Sequence, residues 1–97
     1  MFRHVVLFRW IDGTTSEQVD AVARGLRALV DVIPEIASYE CGPDLGVSDG
    51  TWDFAVVAGF ADQADWLTYR DHPAHLAVIA EHIKPFLAER ASAQLLP

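Results

Sequence analysis

Two segments of this chain, residues 2–10 and 52–60, are apolar on both faces when each is read as an extended strand. In the first segment the even-numbered side chains share one face, and Val5, Leu7 and Ile11 share the other. A strand of this kind has to be covered on both sides. Because the chain has only 97 residues, we expect its own helices to cover just one side of a sheet.

The pattern that follows the first strand predicts a helix. Thr15 and Gln18 have the spacing of a capping box, and Pro34 is expected to end the helix. Between them, apolar residues recur at intervals of three and four, which predicts that one helix face turns to the core. These apolar residues are Val19, Val22, Leu26, Leu29 and Ile33.

The second half of the chain predicts another helical region. Asp62 is expected to cap a short helix that runs to about residue 70. Pro73 suits the first position of a new helical segment, and Pro85 should kink or end that segment. Asp71 is the expected cap of the segment that begins at Pro73.

The remaining strands complete a recognisable element order. Residues 36–41 are predicted to form the second strand, and residues 91–96 a weak fourth strand. The order β-α-β-β-α-β predicts an α+β, ferredoxin-like fold. We expect a single domain over residues 1–97.

The sheet of such a fold has one face that its two helices do not cover. We expect four aromatic side chains on that open face, namely Phe8, Trp10, Trp52 and Phe54. An apolar patch of this size usually marks an interface, and two sheets packed face to face in a twofold homodimer would cover it. On this reasoning, aspartate in place of Val6 or Val56 should split or unfold the dimer, because it would bury an unpaired charge.

Composition excludes several classes of function. The net charge of −7 argues against nucleic acid and against anionic membrane surfaces as partners. A single cysteine, Cys41, excludes an internal disulfide and a cysteine-based zinc site, and we interpret it as structural. No signal peptide or membrane span is predicted, so we expect a cytoplasmic protein.

The chain also lacks the common signatures of cofactor and metal binding. It has neither G-x-G-x-x-G nor a P-loop, so we expect no organic cofactor. His72 and His75 could share a metal, but no acidic third ligand is placed beside them except Asp71. We therefore predict no metal site and interpret His72 as structural.

The most informative stretch is Tyr69-Arg70-Asp71-His72-Pro73-Ala74-His75, followed by Glu81-His82-Ile83-Lys84-Pro85-Phe86-Leu87. Together with the opening His4-Val5-Val6-Leu7-Phe8, it resembles the stress-responsive dimeric α/β-barrel family. The resemblance implies a ferredoxin-like protomer, a dimeric α/β barrel and an apolar cavity. Many members have no assigned activity. Some plant members are polyketide cyclases of the olivetolic acid cyclase type, which perform an aldol condensation without a cofactor, and relatives include cofactor-independent monooxygenases.

The resemblance also suggests site residues. In those cyclases a tyrosine and the last histidine of the motif act in catalysis, and they match Tyr69 and His75. A cavity-lining histidine matches His4. Two other cavity residues depart from the cyclase pattern, because Phe54 stands in place of a histidine and Leu26 in place of a tyrosine. The cavity should therefore be more apolar than in the cyclases.

The chemistry of these residues fits the roles that the resemblance implies. A neutral His75 could accept a proton from the carbon next to a carbonyl, and Tyr69 could donate a hydrogen bond to the enolate oxygen. The alternative is that His75 is a buried structural histidine bonded to a backbone carbonyl, with Tyr69 packed beside it. The ligand-binding residues are expected to include His4 and an apolar wall. That wall consists of Val6, Phe54, Val56, Leu76 and Ile79.

Three functions remain open from the sequence. The first is a barrel that binds a small apolar or aromatic ligand without established catalysis. The second is a cofactor-free enzyme, an aldol-type cyclase or a monooxygenase, acting on a polyketide-like or phenolic compound through Tyr69 and His75. The third is an oligomerisation module whose cavity is filled by Phe54 and Trp10. The predicted partners are a second copy of the chain and a small aromatic or polyketide-like ligand.

Overall fold

The computed structural model describes residues 1–97 and contains one four-stranded sheet with three α-helices. The strands are β1 (Phe2–Trp10), β2 (Ser38–Pro43), β3 (Phe54–Phe60) and β4 (Leu87–Leu95). The α-helices are α1 (Ser16–Ala28), α2 (Gln63–Asp71) and α3 (Pro73–Val78). Short irregular helical turns follow α1 and α3 at Leu29–Asp31, Ile79–Ile83 and Lys84–Phe86. No helix is both long enough and apolar enough to cross a membrane.

The sheet has the strand order β2-β3-β1-β4, and every neighbouring pair is antiparallel. The two doubly apolar strands therefore lie in the middle of the sheet, where each has a neighbour on both edges. The predicted α+β, ferredoxin-like fold is confirmed.

Local capping chemistry sets the helix starts. The Thr15 hydroxyl accepts from the Gln18 backbone N–H at 3.2 Å, and the Gln18 side chain accepts from the Thr15 N–H at 2.9 Å. Asp62 caps α2 through the Asp65 N–H at 2.9 Å. Both caps agree with the sequence prediction, because they depend only on residues three positions apart.

The predicted cap of α3 is wrong. Asp71 is the last residue of α2, and its carboxylate pairs with Arg70. His72 caps α3 instead, with its Nδ1 accepting from the Ala74 N–H at 3.0 Å. The reason is Pro73 at the first helical position, because a proline forces the residue before it into an extended conformation. His72 is therefore the flanking residue, and its structural role is the one that the sequence predicted.

Several strand boundaries also differ from the prediction. β2 begins at Ser38 instead of residue 36, because Ile36 is buried in the turn that precedes the strand. β3 begins at Phe54 instead of residue 52, and Asp53 bonds to the β1 backbone at Trp10 and Phe8. β4 spans nine residues and pairs along almost the whole of β1.

The face of the sheet that carries the core is the opposite of the one expected. Phe8 and Phe54 are 5% and 1% exposed, and they face the helices. Trp10 packs on both rings, with centroids 5.4 and 5.8 Å away. Trp52 precedes β3 and packs against an open-face residue, since the Arg9 guanidinium is 4.2 Å from its ring centroid.

The open face is formed by the odd-numbered residues of β1 and β3, which alternate with the buried ones. They include Val5, Leu7, Ala55 and Val57, all partly exposed in the protomer. Val6 and Val56 belong instead to the helix-side core, at 5% and 3% exposure. Aspartate at either position would therefore disrupt the core of the protomer and would not test an interface.

Candidate functional site

A cavity of about 500 Å³ lies between the helix-side face of the sheet and the helical layer. Ten of its eighteen lining residues are hydrophobic. The apolar part of its wall includes Val6, Phe8, Leu26, Val56, Ile79 and Ile83. The polar part brings together side chains from β1, α2, α3 and β4, including His4, Tyr69, His75, Arg90, Ser92 and Gln94. This volume and this mixture of walls are typical of small-molecule sites.

Seven of the eight residues predicted for the site line this cavity. They are His4, Val6, Val56, Tyr69, His75, Leu76 and Ile79. Phe54 does not line it, which corrects the predicted wall. Its side chain is 1% exposed and packs with Phe8 and Trp10 in an aromatic cluster. Neither Phe54 nor Trp10 lines or fills the cavity. A filled cavity was the feature expected of a module that serves oligomerisation alone.

His75 is held in one tautomer by the backbone. Its Nδ1 lies 3.0 Å from the Arg70 carbonyl oxygen. A carbonyl can only accept a hydrogen bond, so Nδ1 carries the proton of the neutral ring and Nε2 keeps its lone pair. Burial lowers the pKa of His75, which favours the neutral imidazole at pH 7. The backbone bond expected of a structural histidine is present, and the same bond leaves Nε2 able to accept a proton.

Tyr69 stacks on His75 with ring centroids 4.1 Å apart and an interplanar angle of 29°. Its hydroxyl oxygen lies 2.9 Å from that of Tyr39 in β2. Burial raises the pKa of Tyr69 to about 12, so the phenol is neutral at pH 7 and can donate a hydrogen bond. When Tyr39 donates to Tyr69, the Tyr69 proton is left for a ligand. Tyr39 was not predicted, because only the pairing of β2 with β3 brings it near Tyr69.

His4 is buried on the helix-side face of β1, at 5% exposure. Gln94 donates from Nε2 to His4 Nδ1 at 2.9 Å, so the neutral ring carries its proton on Nε2. The Trp66 ring lies 5.4 Å away between centroids. Burial, together with the positive charge of Arg90 and the nearby His75, lowers the pKa of His4 to about 4. His4 is therefore a neutral hydrogen-bonding group at pH 7.

β4 supplies polar residues that sequence reasoning missed. Gln94, Ser92 and Arg90 lie directly opposite His4, Val6 and Phe8 in the antiparallel register, so they share the cavity face. The signal was present in the alternation of these polar residues with Ala91 and Ala93. The predicted strand, residues 91–96, left out Arg90, and its pairing with β1, which brings Ser92 and Gln94 to the cavity, follows only from the fold.

No group of three or more histidine, cysteine, aspartate or glutamate side chains is placed to hold a metal ion. His72 is occupied by its cap bond to Ala74. Burial raises the pKa of the Cys41 thiol, so the thiol is protonated at pH 7. The polar groups that line the cavity are imidazole, phenol, amide, hydroxyl, guanidinium, ammonium and carboxylate groups.

Comparison with known proteins gives one family. Residues 2–95 match the sequence model of the stress responsive A/B barrel domain, abbreviated Dabb. An uncharacterized protein of Streptomyces coelicolor is 32% identical over 82 residues, which are 82% of this chain and 84% of that protein.

Solved structures agree with the fold. A dimeric ferredoxin-like protein of unknown function from Thermobifida fusca superposes with a TM-score of 0.91 at 43% identity, over 99% of this chain and 90% of that one. The hydroxynitrile lyase of Passiflora edulis superposes with a TM-score of 0.84 at 22% identity, over 99% of this chain and 92% of that one. At that identity the second likeness shows the fold alone.

Proposed function

Since this chain belongs to the stress responsive A/B barrel domain family, we propose that it binds a small apolar or aromatic molecule in the cavity of each protomer. The observation that carries this proposal is the convergence of His4, Tyr69 and His75 at one cavity of about 500 Å³. The three residues come from β1, α2 and α3, and only the fold brings them together.

The walls of the cavity support a ligand with an apolar body and a polar end. Leu26, Ile79 and Ile83 offer aliphatic surface, and burying apolar ligand surface there would provide most of the binding free energy. The three converging residues, His4, Tyr69 and His75, are neutral at pH 7. They would fix the orientation of the ligand, as a few convergent polar groups do in other small-molecule sites.

A second candidate is cofactor-free proton-transfer catalysis, and the tautomer of His75 favours it. With its Nδ1–H bonded to the Arg70 carbonyl, His75 would accept a proton at Nε2 from a carbon next to a carbonyl group. The electron pair of the broken C–H bond would move to the carbonyl oxygen, and Tyr69 would donate a hydrogen bond to the resulting enolate. An aldol-type cyclase of polyketide-like substrates begins with this step. A cofactor-independent monooxygenase also begins by deprotonating its substrate.

We place the protein in a homodimer through the open face of the sheet. The partly exposed Val5, Leu7 and Val57 form an apolar surface that no element of the protomer covers. The similar Thermobifida fusca protein is described as dimeric. A second copy packed on this face would leave the cavity on the other side of each sheet.

The binding proposal is tested by isothermal titration with 4-pentylphenol, a probe with an apolar chain and one polar end. His75→Ala and Tyr69→Phe should each weaken binding by about three- to tenfold, the cost of one lost hydrogen bond. His82→Ala is the matched control, because His82 is outside the cavity wall. Unchanged affinity in both cavity variants, with unchanged melting temperatures, would contradict the assigned site.

A further inference from the structure

The cavity carries a charge opposite to that of the molecule. The chain has fourteen acidic and seven basic residues. Three of the seven basic residues line the cavity, namely Arg70, Lys84 and Arg90. Asp71 is the only one of the fourteen acids that does so. A random distribution would place about twice as many acids as bases there, so the cavity is enriched in positive charge.

One of these three cations is already neutralised. Arg70 binds Asp71 through two hydrogen bonds of 2.9 and 3.0 Å, from Nε and Nη2 to the two carboxylate oxygens. The other ion pairs of the protomer join Arg9 to Glu89 and His82 to Glu81. Lys84 and Arg90 therefore have no carboxylate partner in the protomer.

Arg90 is the better placed of the two. It lies opposite Phe8 in the β1–β4 register, on the same face as His4 and Gln94. Its side chain makes one hydrogen bond, a long one of 3.3 Å to the Ser92 hydroxyl, so most of its donors remain free. It lines the same cavity as His4 and His75, and its charge adds to the effect of burial in lowering the pKa of both histidines.

We infer that the ligand is a small apolar or aromatic carboxylate whose carboxylate group pairs with Arg90 while its apolar body fills the cavity. The inference rests on the proposed ligand-binding function and narrows its ligand to one class. A guanidinium presents a planar fork of N–H donors that matches the two oxygens of a carboxylate, which is the geometry of strong, charge-assisted pairs. Lys84, which also lines the cavity, adds a second positive charge.

The alternatives fit the cavity less well. A neutral ligand would leave Arg90 and Lys84 without a role in recognition. A cationic ligand would be repelled by both residues and would find only Asp71, which Arg70 already binds. The aliphatic residues Leu26, Val56 and Ile79 match the body of an amphiphilic anion and not a small inorganic one.

The test compares two ligands of nearly the same shape, 4-pentylbenzoate and 4-pentylbenzamide, by isothermal titration at pH 7.5 and low salt. The benzoate is anionic at this pH and the benzamide is neutral. We expect the wild-type protein to bind the benzoate about tenfold more tightly, as a charge-assisted pair at a partly exposed site would give. Added salt should narrow this difference, since part of it is electrostatic.

Substitution of the arginine gives the second arm of the test. Arg90→Gln should remove most of the preference for the benzoate and leave benzamide affinity within about twofold of wild type. Arg90→Lys should keep part of the preference, because it keeps the charge and loses the planar fork. Arg24→Gln is the matched control, because Arg24 is an exposed helix residue outside the cavity wall.

The outcomes separate this inference from the proposed function. Equal affinity of wild-type protein for both ligands would overturn the carboxylate inference and leave the cavity site in place. An equal loss of affinity for both ligands in a folded Arg90→Gln variant would also overturn it. The arginine would then contribute to the shape of the cavity and not to recognition of the carboxylate. No binding of either ligand or of 4-pentylphenol would contradict the proposed function itself. If Arg90→Gln does not fold, the wild-type comparison still decides the question.

Discussion

The protonation states of two histidines determine what the cavity can do at the scale of single residues. His75 carries its proton on Nδ1, which is bonded to a backbone carbonyl, and His4 carries its proton on Nε2. The same type of residue thus offers a free lone pair at one position and a free N–H at the other. The difference comes from the partners alone, Arg70 in one case and Gln94 in the other.

Burial of His4 makes the stability of the protein depend on pH. Because the folded-state pKa is about 4, and an unfolded histidine has a pKa of 6.5, the unfolded chain binds more protons between these values. The stabilising contribution is therefore present in full above pH 6.5 and is lost as the pH falls toward 4. Arg90 and Gln94 from β4, Trp66 from α2 and His75 from α3 are the groups that face His4.

We expect the free energy of unfolding to fall more steeply with acid in the wild type than in a His4→Gln variant. Between pH 7.5 and pH 4.5 the extra loss should be about 2 kcal/mol. Urea unfolding of both proteins at the two pH values measures it, and the titration of His75 is common to both. If the free energy of unfolding fell by the same amount in both proteins, His4 would not be buried in its neutral form.

At the scale of elements, local chemistry predicted helix starts well and strand details less well. The Thr15 capping box and the Asp62 cap depend on neighbours in sequence, so the residues alone determine them. β4 is different, because its alanine, serine and charged residues have weak strand preference. It extends over Leu87–Leu95 because β1 offers a continuous backbone edge for pairing.

The difference between local pattern and long-range pairing also explains which residues of the candidate site the sequence predicted. Alternation along β1 predicted that His4, Val6 and Phe8 share a face, and they do. It could not tell which face the helices cover, because both faces are apolar and the pattern looks the same from either side. Phe54 was misplaced as a cavity residue because alternation gives a face and not a position along it. Arg90 and Tyr39 were not predicted for the site, because pairing between strands distant in sequence brings them there.

At the scale of the whole molecule, the protein has two apolar surfaces of different kinds on opposite sides of one sheet. The helix side encloses the cavity, and the open side is an exposed apolar surface around Leu7. This separation should allow the proposed dimer and the proposed ligand binding to be altered independently. Because Val6 and Val56 belong to the core, the interface has to be tested by substitution at the odd-numbered positions of β1.

Leu7→Asp should convert the dimer to a folded monomer. Leu7 lies opposite Ala55 on one side and Ala91 on the other, near the centre of the open face, and it is only partly buried in the protomer. A buried carboxylate would oppose association, while the monomer could leave it in water. Light scattering at micromolar concentration should give twice the 10.7 kDa chain mass for the wild type and a single chain mass for the variant.

Val30→Asp is the control for the dimer experiment. Val30 is 45% exposed in the turn after α1, which belongs to the helical layer and not to the open face. The variant should remain dimeric. A wild-type protein that is monomeric at micromolar concentration, or a Leu7→Asp variant that stays dimeric, would contradict the assembly proposed for this face.

The central claim, that a small amphiphilic molecule occupies the cavity between sheet and helices, is tested most directly by nuclear Overhauser contacts to a bound probe. In protein with ¹³C-labelled methyl groups, the pentyl chain of 4-pentylbenzoate should give contacts to Leu26, Val56, Ile79 and Ile83, which line the cavity. The exposed methyl groups of Leu45 and Val47, 87% and 82% accessible, should give none. Contacts confined to those exposed residues or to Val5 and Leu7 on the open face, or no contacts at saturating probe, would contradict the account.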